Sequence, residues 1–274
     1  MSSRSLLAVS LSALLALSFS SIVYSADTEA PSELLQLHQL RLTAQKSLGD
    51  FYMINAMEGD LRYARQIKEA LNSGDTLLQQ IKNMPGEGSK ALLAQLQQQW
   101  SDYESELDAL TETYKSQGYT DLQPVADLAT RSQQLQTLSA ELYAKIQQES
   151  GRNVPALTQL SREQSSLMQQ ISTDYSSRSA AVGGTFIGGS DKSSKSIDEL
   201  SNEFASRLNK LEQAPQNTVE TRQAVAVINT KWRYIEKSLK NYNEKTVPFL
   251  VHKYANSISD GLEAVSAQYA AKQL

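Results

Sequence analysis

The sequence predicts an all-α fold of two tandem four-helix-bundle units. Apolar residues recur at three or four positions over long stretches, as in Leu92, Leu93, Leu96, Trp100, Tyr103, Leu107, Leu110 and Tyr114. That is the spacing of one helix face. Glycine and proline, 12 and 6 of 274 residues, gather in a few breaks at 84–88, 117–119, 151–155, 182–190 and 213–217. Strand patterning is weak, because Val and Ile rarely alternate with polar residues.

Eight helices follow, at about 32–57, 60–82, 88–116, 122–149, 155–180, 196–213, 218–244 and 248–272. The first carries Leu34, Leu37 and Leu40 and continues through Leu48, Phe51 and Tyr52. The second runs up to the break "MPGEG", and the third bears the stripe centred on Trp100. Gly118 and Gly151 lie just past the third and fourth, where a left-handed residue ends a helix. Pro155 and Pro248 suit the first turns of the fifth and eighth, and Ser196 with Glu199 forms a capping box for the sixth. The seventh holds the second tryptophan, Trp232.

Residues 1–25 read as a cleaved signal peptide, with Arg4 followed by an apolar run from Leu6 to Phe19 and Val23-Tyr24-Ser25 at the cleavage site. A mature chain starting at Ala26 is expected in the periplasm, or secreted outright. No later stretch reaches the roughly 20 apolar residues of a membrane span. There is no cysteine, which excludes disulfides and lipid attachment at cysteine. The net charge of -4 gives no sign of nucleic-acid binding.

The chain's two tryptophans head similar segments, "WSDYESEL" from Trp100 and "WRYIEKSL" from Trp232. Further on, "LQTLSAELYAK" from Leu135 matches "LEAVSAQYAAK" from Leu262, and "LHQLR" from Leu37 resembles "LTQLSR" from Leu157. Matches in one order, displaced by about 120 to 132 residues, imply an internal duplication, with units at 26–150 and 151–274. Trp100 and Trp232 lie in register with their apolar stripes and read as core anchors, with ligand stacking the alternative. Glu104 and Glu236 recur with them, either as a buried contact to a first-helix polar residue or as solvated pairs.

No catalytic residue, metal site or cofactor is predicted. With no cysteine and only His38 and His252, zinc spacing is missing, and a nucleophile set would need one of these histidines beside a serine and an acid. The glycine-rich run 180–196 reads as a connector, with a lid or docking loop tipped by Phe186 and Ile187 as the alternative.

The second half, with "LSREQSSLMQQISTDY", "IEKSL", "VPFL" and "LEAVSAQYAAK", resembles the N-terminal periplasmic domain of type IV pilus methyl-accepting chemotaxis transducers. Related domains sense nitrate. The resemblance implies a helical sensor domain with a polar first-helix motif. Setting Leu167 and Ile171 on its apolar positions puts Gln164, Gln169 and Gln170 in the polar run, with Arg162 the nearest arginine and Gln45 opposite Gln164 in the first half. Nitrate sensors of this kind hold an anion between equivalent first helices. The resemblance therefore points to Arg41, Arg162, Gln45 and Gln164 as ligand-binding residues. The other reading has both arginines snorkelling to water or paired with acids on a neighbouring helix. The expected function is a non-enzymatic periplasmic sensory-accessory protein that binds a small solute, such as an anion, or a membrane-bound signalling partner. The alternative is a structural envelope protein that binds another helical protein and no small ligand.

Overall fold

The structure, a computed structural model, describes residues 32–180, 195–242 and 246–272. Within them the chain is all-α: α1 (Ser32–Ala56), α2 (Arg62–Gln80), α3 (Glu87–Gln117), α4 (Leu122–Ser150), α5 (Ala156–Ala180), α6 (Ile197–Glu212), α7 (Val219–Lys240) and α8 (Pro248–Ala271). The signal peptide read at 1–25, and Phe186 and Ile187, lie outside the described residues. Local signals set most boundaries. Ser196 Oγ accepts the Glu199 amide at 3.2 Å while the Glu199 carboxylate accepts the Ser196 amide at 2.7 Å, closing the capping box of α6. Gly118 and Gly151 end α3 and α4 at φ 79° and 68°, where a Cβ would be strained. Helix α7 stops at Lys240, earlier than the sequence suggests.

Side-chain bonds give the helix directions. Thr173 donates to the Gln45 carbonyl at 3.1 Å, and Asn55 donates to the Ala180 carbonyl at 2.7 Å, so α1 and α5 run parallel side by side. Helix α8 runs antiparallel to both: His38 of α1 meets Glu263 while Asp50 meets His252, and Ser259 donates to the Ser165 carbonyl of α5. The α1/α5 pair is thus the junction of the two halves. Helices α2 and α8 flank it on one side, where the Tyr63 and His252 rings meet edge-on at 5.6 Å. Helices α4 and α6 lie on the other side.

Buried apolar residues form two clusters, one spanning 34–154 and the other 167–269. Each is centred on a tryptophan. Trp100 is 2% exposed and Trp232 3%. Trp100 reaches from α3 to α2, where its Nε1 donates to Asp75 at 2.8 Å. Trp232 reaches from α7 to α6 and lies against Phe204 with ring centroids 4.5 Å apart.

Helix α5 is deeply buried yet rich in serine. Ser161, Ser165, Ser172 and Ser176 are nearly inaccessible, and their small volume lets α8 approach closely. Ser161 bonds back to the Leu157 carbonyl at 2.9 Å, satisfying its hydroxyl within the helix, while the Ser172 and Ser176 hydroxyls are buried without a partner among the described residues.

Candidate functional site

Where α4 and α6 diverge beside the α1/α5 pair, a cleft of about 690 Å³ opens. It continues into a recess of about 320 Å³, with Arg41, Gln45, Gln133, Gln170 and Lys195 lining both. Arg41 and Gln45, four residues apart, share one face of α1 and both line the cleft. Arg162 enters it from α5 and Tyr143 from α4. The cleft therefore draws cationic groups from both halves of the chain.

Arg162 is 6% exposed. Its Nη1 donates to the Tyr143 hydroxyl at 3.3 Å, the hydroxyl donates to Gln159 Oε1 at 2.7 Å, and Arg162 Nε is buried without a partner. Arg41 donates to Gln136 at 3.4 Å, and Gln136 donates back to the Arg41 carbonyl at 3.0 Å. Among the described residues neither arginine has a carboxylate within 4.0 Å. Arg162 thus does not snorkel, and it forms no ion pair with a described residue. Burial lowers the Arg41 pKa from its ordinary value, opposed by Tyr143 and Glu163. Burial raises that of Tyr143, opposed by Arg162 and Arg41. At the recess end, burial pushes the Asp174 carboxyl up to about 7, against the pull of Arg178.

The two arginines are staggered along the seam. His38 is level with Ser165, and Gln45 with Thr173. Arg41 therefore stands about six residues further along the pair than Arg162, an axial offset of about 9 Å at 1.5 Å per residue. Aligning "LHQLR" with "LTQLSR" puts them at one level, and the packing register does not. Ser165, Thr173 and Ala180 of α5 are held against His38, Gln45 and Asn55 of α1, which sets the register independently of the arginines.

Gln164 lies elsewhere. It is fully buried and donates to the Phe204 carbonyl at 2.9 Å, inside the α5–α6 contact. Two residues along a helix rotate about 200°, so Gln164 cannot share the face of Arg162. Glu104 sits beside Asp75 of α2, where burial and that second acid raise its pKa, and Glu236 pairs with Lys240 on its own helix at 2.8 Å. Their side chains are therefore placed differently in the two halves. Tyr143, Lys195, Glu203 and Arg207 also line the cleft. Nothing in their local sequence marks them, because it is packing that brings α4 and α6 to the seam.

Each histidine meets an acid. His38 Nε2 lies 2.7 Å from Glu263 Oε1 and 3.3 Å from Ser165 Oγ, which itself donates to Glu263 at 2.5 Å. Serine and acid converge on the same ring nitrogen, whereas a nucleophile relay uses opposite nitrogens. Ser165 is fully buried. The cluster is a polar tie between α1, α5 and α8. Burial lowers the His38 pKa; Glu263 opposes this, and Arg162 and Arg41 reinforce it. His252 Nε2 lies 2.9 Å from Asp50 Oδ1, and burial raises the Asp50 pKa. Among the described residues no group of three His, Asp or Glu could hold a metal ion, and no helix is long and apolar enough to cross a membrane. Compared with protein-family models, curated proteins and solved structures, the chain matches none.

Proposed function

We propose that the protein is a non-enzymatic binding module of the cell envelope, which holds a small anion in the α1/α5 cleft and presents that state to a signalling partner. One observation carries the reading: Arg41 and Arg162, from different halves, line one cleft with no carboxylate among the described residues within ion-pair range. Uncompensated guanidinium groups in a partly dry site repel each other, and an anion between them removes that repulsion and supplies charge-assisted acceptors. The likeness of the second half to chemotaxis-transducer sensor domains, and the duplication read from the paired Trp and Ser-Ala segments, agree with this use of a seam between first helices.

Calorimetric titration with nitrate, nitrite and small carboxylates tests the reading. At least one is expected to bind at millimolar concentration or tighter, and Arg41→Ala or Arg162→Ala is expected to weaken binding by at least about tenfold. Binding that survives both substitutions would place the site elsewhere.

A second reading, as a protein that binds another helical protein and no small ligand, is favoured by a surface patch. Val227, Tyr234 and Phe249 are about half exposed, and Tyr234 packs against Tyr254 with tilted rings 4.7 Å apart. Recovery of an envelope protein by the wild type but not by Tyr234→Ala, without any anion effect, would favour it. Export is the premise of both readings. N-terminal sequencing of the exported protein is expected to begin at Ala26, and an intact Met1 in the membrane fraction would rule out cleavage.

A further inference from the structure

The cleft is larger, more charged and differently equipped than nitrate or nitrite requires. Arg41, Arg162, Lys195 and Arg207 line it together with the acids Glu163 and Glu203. Glu203 lies 2.5 Å from both Lys195 and Arg207, and Glu163 lies 3.3 Å from Arg207. Those four charges cancel among themselves, leaving Arg41 and Arg162. Burial, reinforced by these arginines and opposed by Glu263, lowers the pKa of His38, also on the lining.

Two positive charges remain, carried on helix positions offset by about 9 Å along the α1/α5 seam. A single monovalent anion between them eases their repulsion but neutralises only one of the two charges. Two linked carboxylates can meet both. Gln45 adds a second requirement, because its side-chain oxygen is buried without a partner on the same face of α1 as Arg41. A buried acceptor left unpaired is costly. Nitrate and simple dicarboxylates offer it nothing, whereas a hydroxyl or ammonium group would donate to it. The volume of about 690 Å³ lies within the range of organic-ligand pockets.

We infer that the ligand of this cleft is an organic dianion carrying its own hydrogen-bond donor, of the hydroxydicarboxylate type, with one carboxylate on Arg41 and the other on Arg162. The inference rests on the anion-binding reading above and names its ligand class. Lys195 and Arg207, already held by Glu163 and Glu203, shape the wall of the cleft.

Three probes separate the elements of the claim: malate has two carboxylates and a hydroxyl, succinate has two carboxylates alone, and nitrate has one charge and no donor. Calorimetry on the purified protein is expected to rank them malate, succinate, nitrate, with malate at least about tenfold tighter than nitrate. Gln45→Leu is expected to bring the malate-to-succinate ratio to about one, and Arg162→Gln to bring succinate down to the level of nitrate. Thermal melts by circular dichroism check that each variant is folded. Arg41→Gln, at a more exposed position, replaces Arg162→Gln should that variant fail to fold. Nitrate binding as tightly as both dicarboxylates overturns the dianion assignment and leaves the anion site standing. A malate preference that persists in Gln45→Leu overturns the donor assignment. No binding by any probe overturns the anion site itself.

Discussion

Trp100→Ala and Trp232→Ala are each expected to lower the unfolding free energy by about 3–5 kcal/mol in chemical denaturation. Both indoles are almost wholly buried, each filling the space between the third helix of its half and the second. Truncation leaves a cavity that rigid helices on either side cannot close, so the lost transfer energy and the cavity cost add. Around Trp100 the fit depends on Gly74 of α2. A Cβ at that position would come within 2.0 Å of indole Cζ2 and 2.2 Å of Cη2. Gly74→Ala is therefore expected to destabilise the wild type and to cost much less in a Trp100→Leu background, a coupling that a double-mutant cycle reads directly. A loss below about 1 kcal/mol for either tryptophan would show that its pocket collapses or is not part of the core.

The helices were legible because their signals are local. Capping at Ser196, left-handed glycines at 118 and 151, proline at 248 and the three-four spacing of leucines each act within a few residues, so chain order alone places the boundaries. The lining of the cleft was legible in part. Motif alignment put forward Arg41, Gln45 and Arg162, and all three line it. Gln164 was misplaced because an alignment of short motifs disregards the 100° turned at each residue. Tyr143 and Arg207 were missed because only the angles at which α4 and α6 pack bring them to the seam. The depth of α5 was also hidden. A helix rich in serine and glutamine carries little apolar signal, yet small side chains are what a close helix contact requires, and Ser161 bonds its own backbone while Ser165 ties to Glu263 of α8. The histidines were read singly, whereas in the fold they form reciprocal ties: His38 of α1 to Glu263 of α8, and His252 of α8 to Asp50 of α1.

That reciprocity sets the second large effect. His252→Ala is expected to cost about 3–5 kcal/mol near neutral pH, because it strips the partner from a carboxylate that is only 1% exposed. Asp50 is held between opposing influences. Burial raises its pKa from the ordinary 3.8, while the bond and charge of His252 on α8 and the more distant charge of Lys46 on α1 lower it. Removing His252 deletes the largest opposing influence, so the folded-state pKa rises further. Between the unfolded value and that raised value, the native state keeps a proton that the unfolded chain has released. Stability from this group therefore falls as pH rises through the window and is regained as pH falls. The deficit of His252→Ala should be largest in mild alkali and shrink on acidification towards pH 4. Replacing the carboxylate as well, in Asp50→Asn with His252→Ala, removes the buried charge and should recover much of the loss at neutral pH, leaving about 1–2 kcal/mol for the unpaired amide. Denaturation of the wild type and both variants at several pH values decides it. A His252→Ala deficit that stays constant from acid to alkali, or is undiminished in the double variant, would show that Asp50 and His252 meet only as packing neighbours and that the two halves are held together by the apolar contacts of α1, α5 and α8.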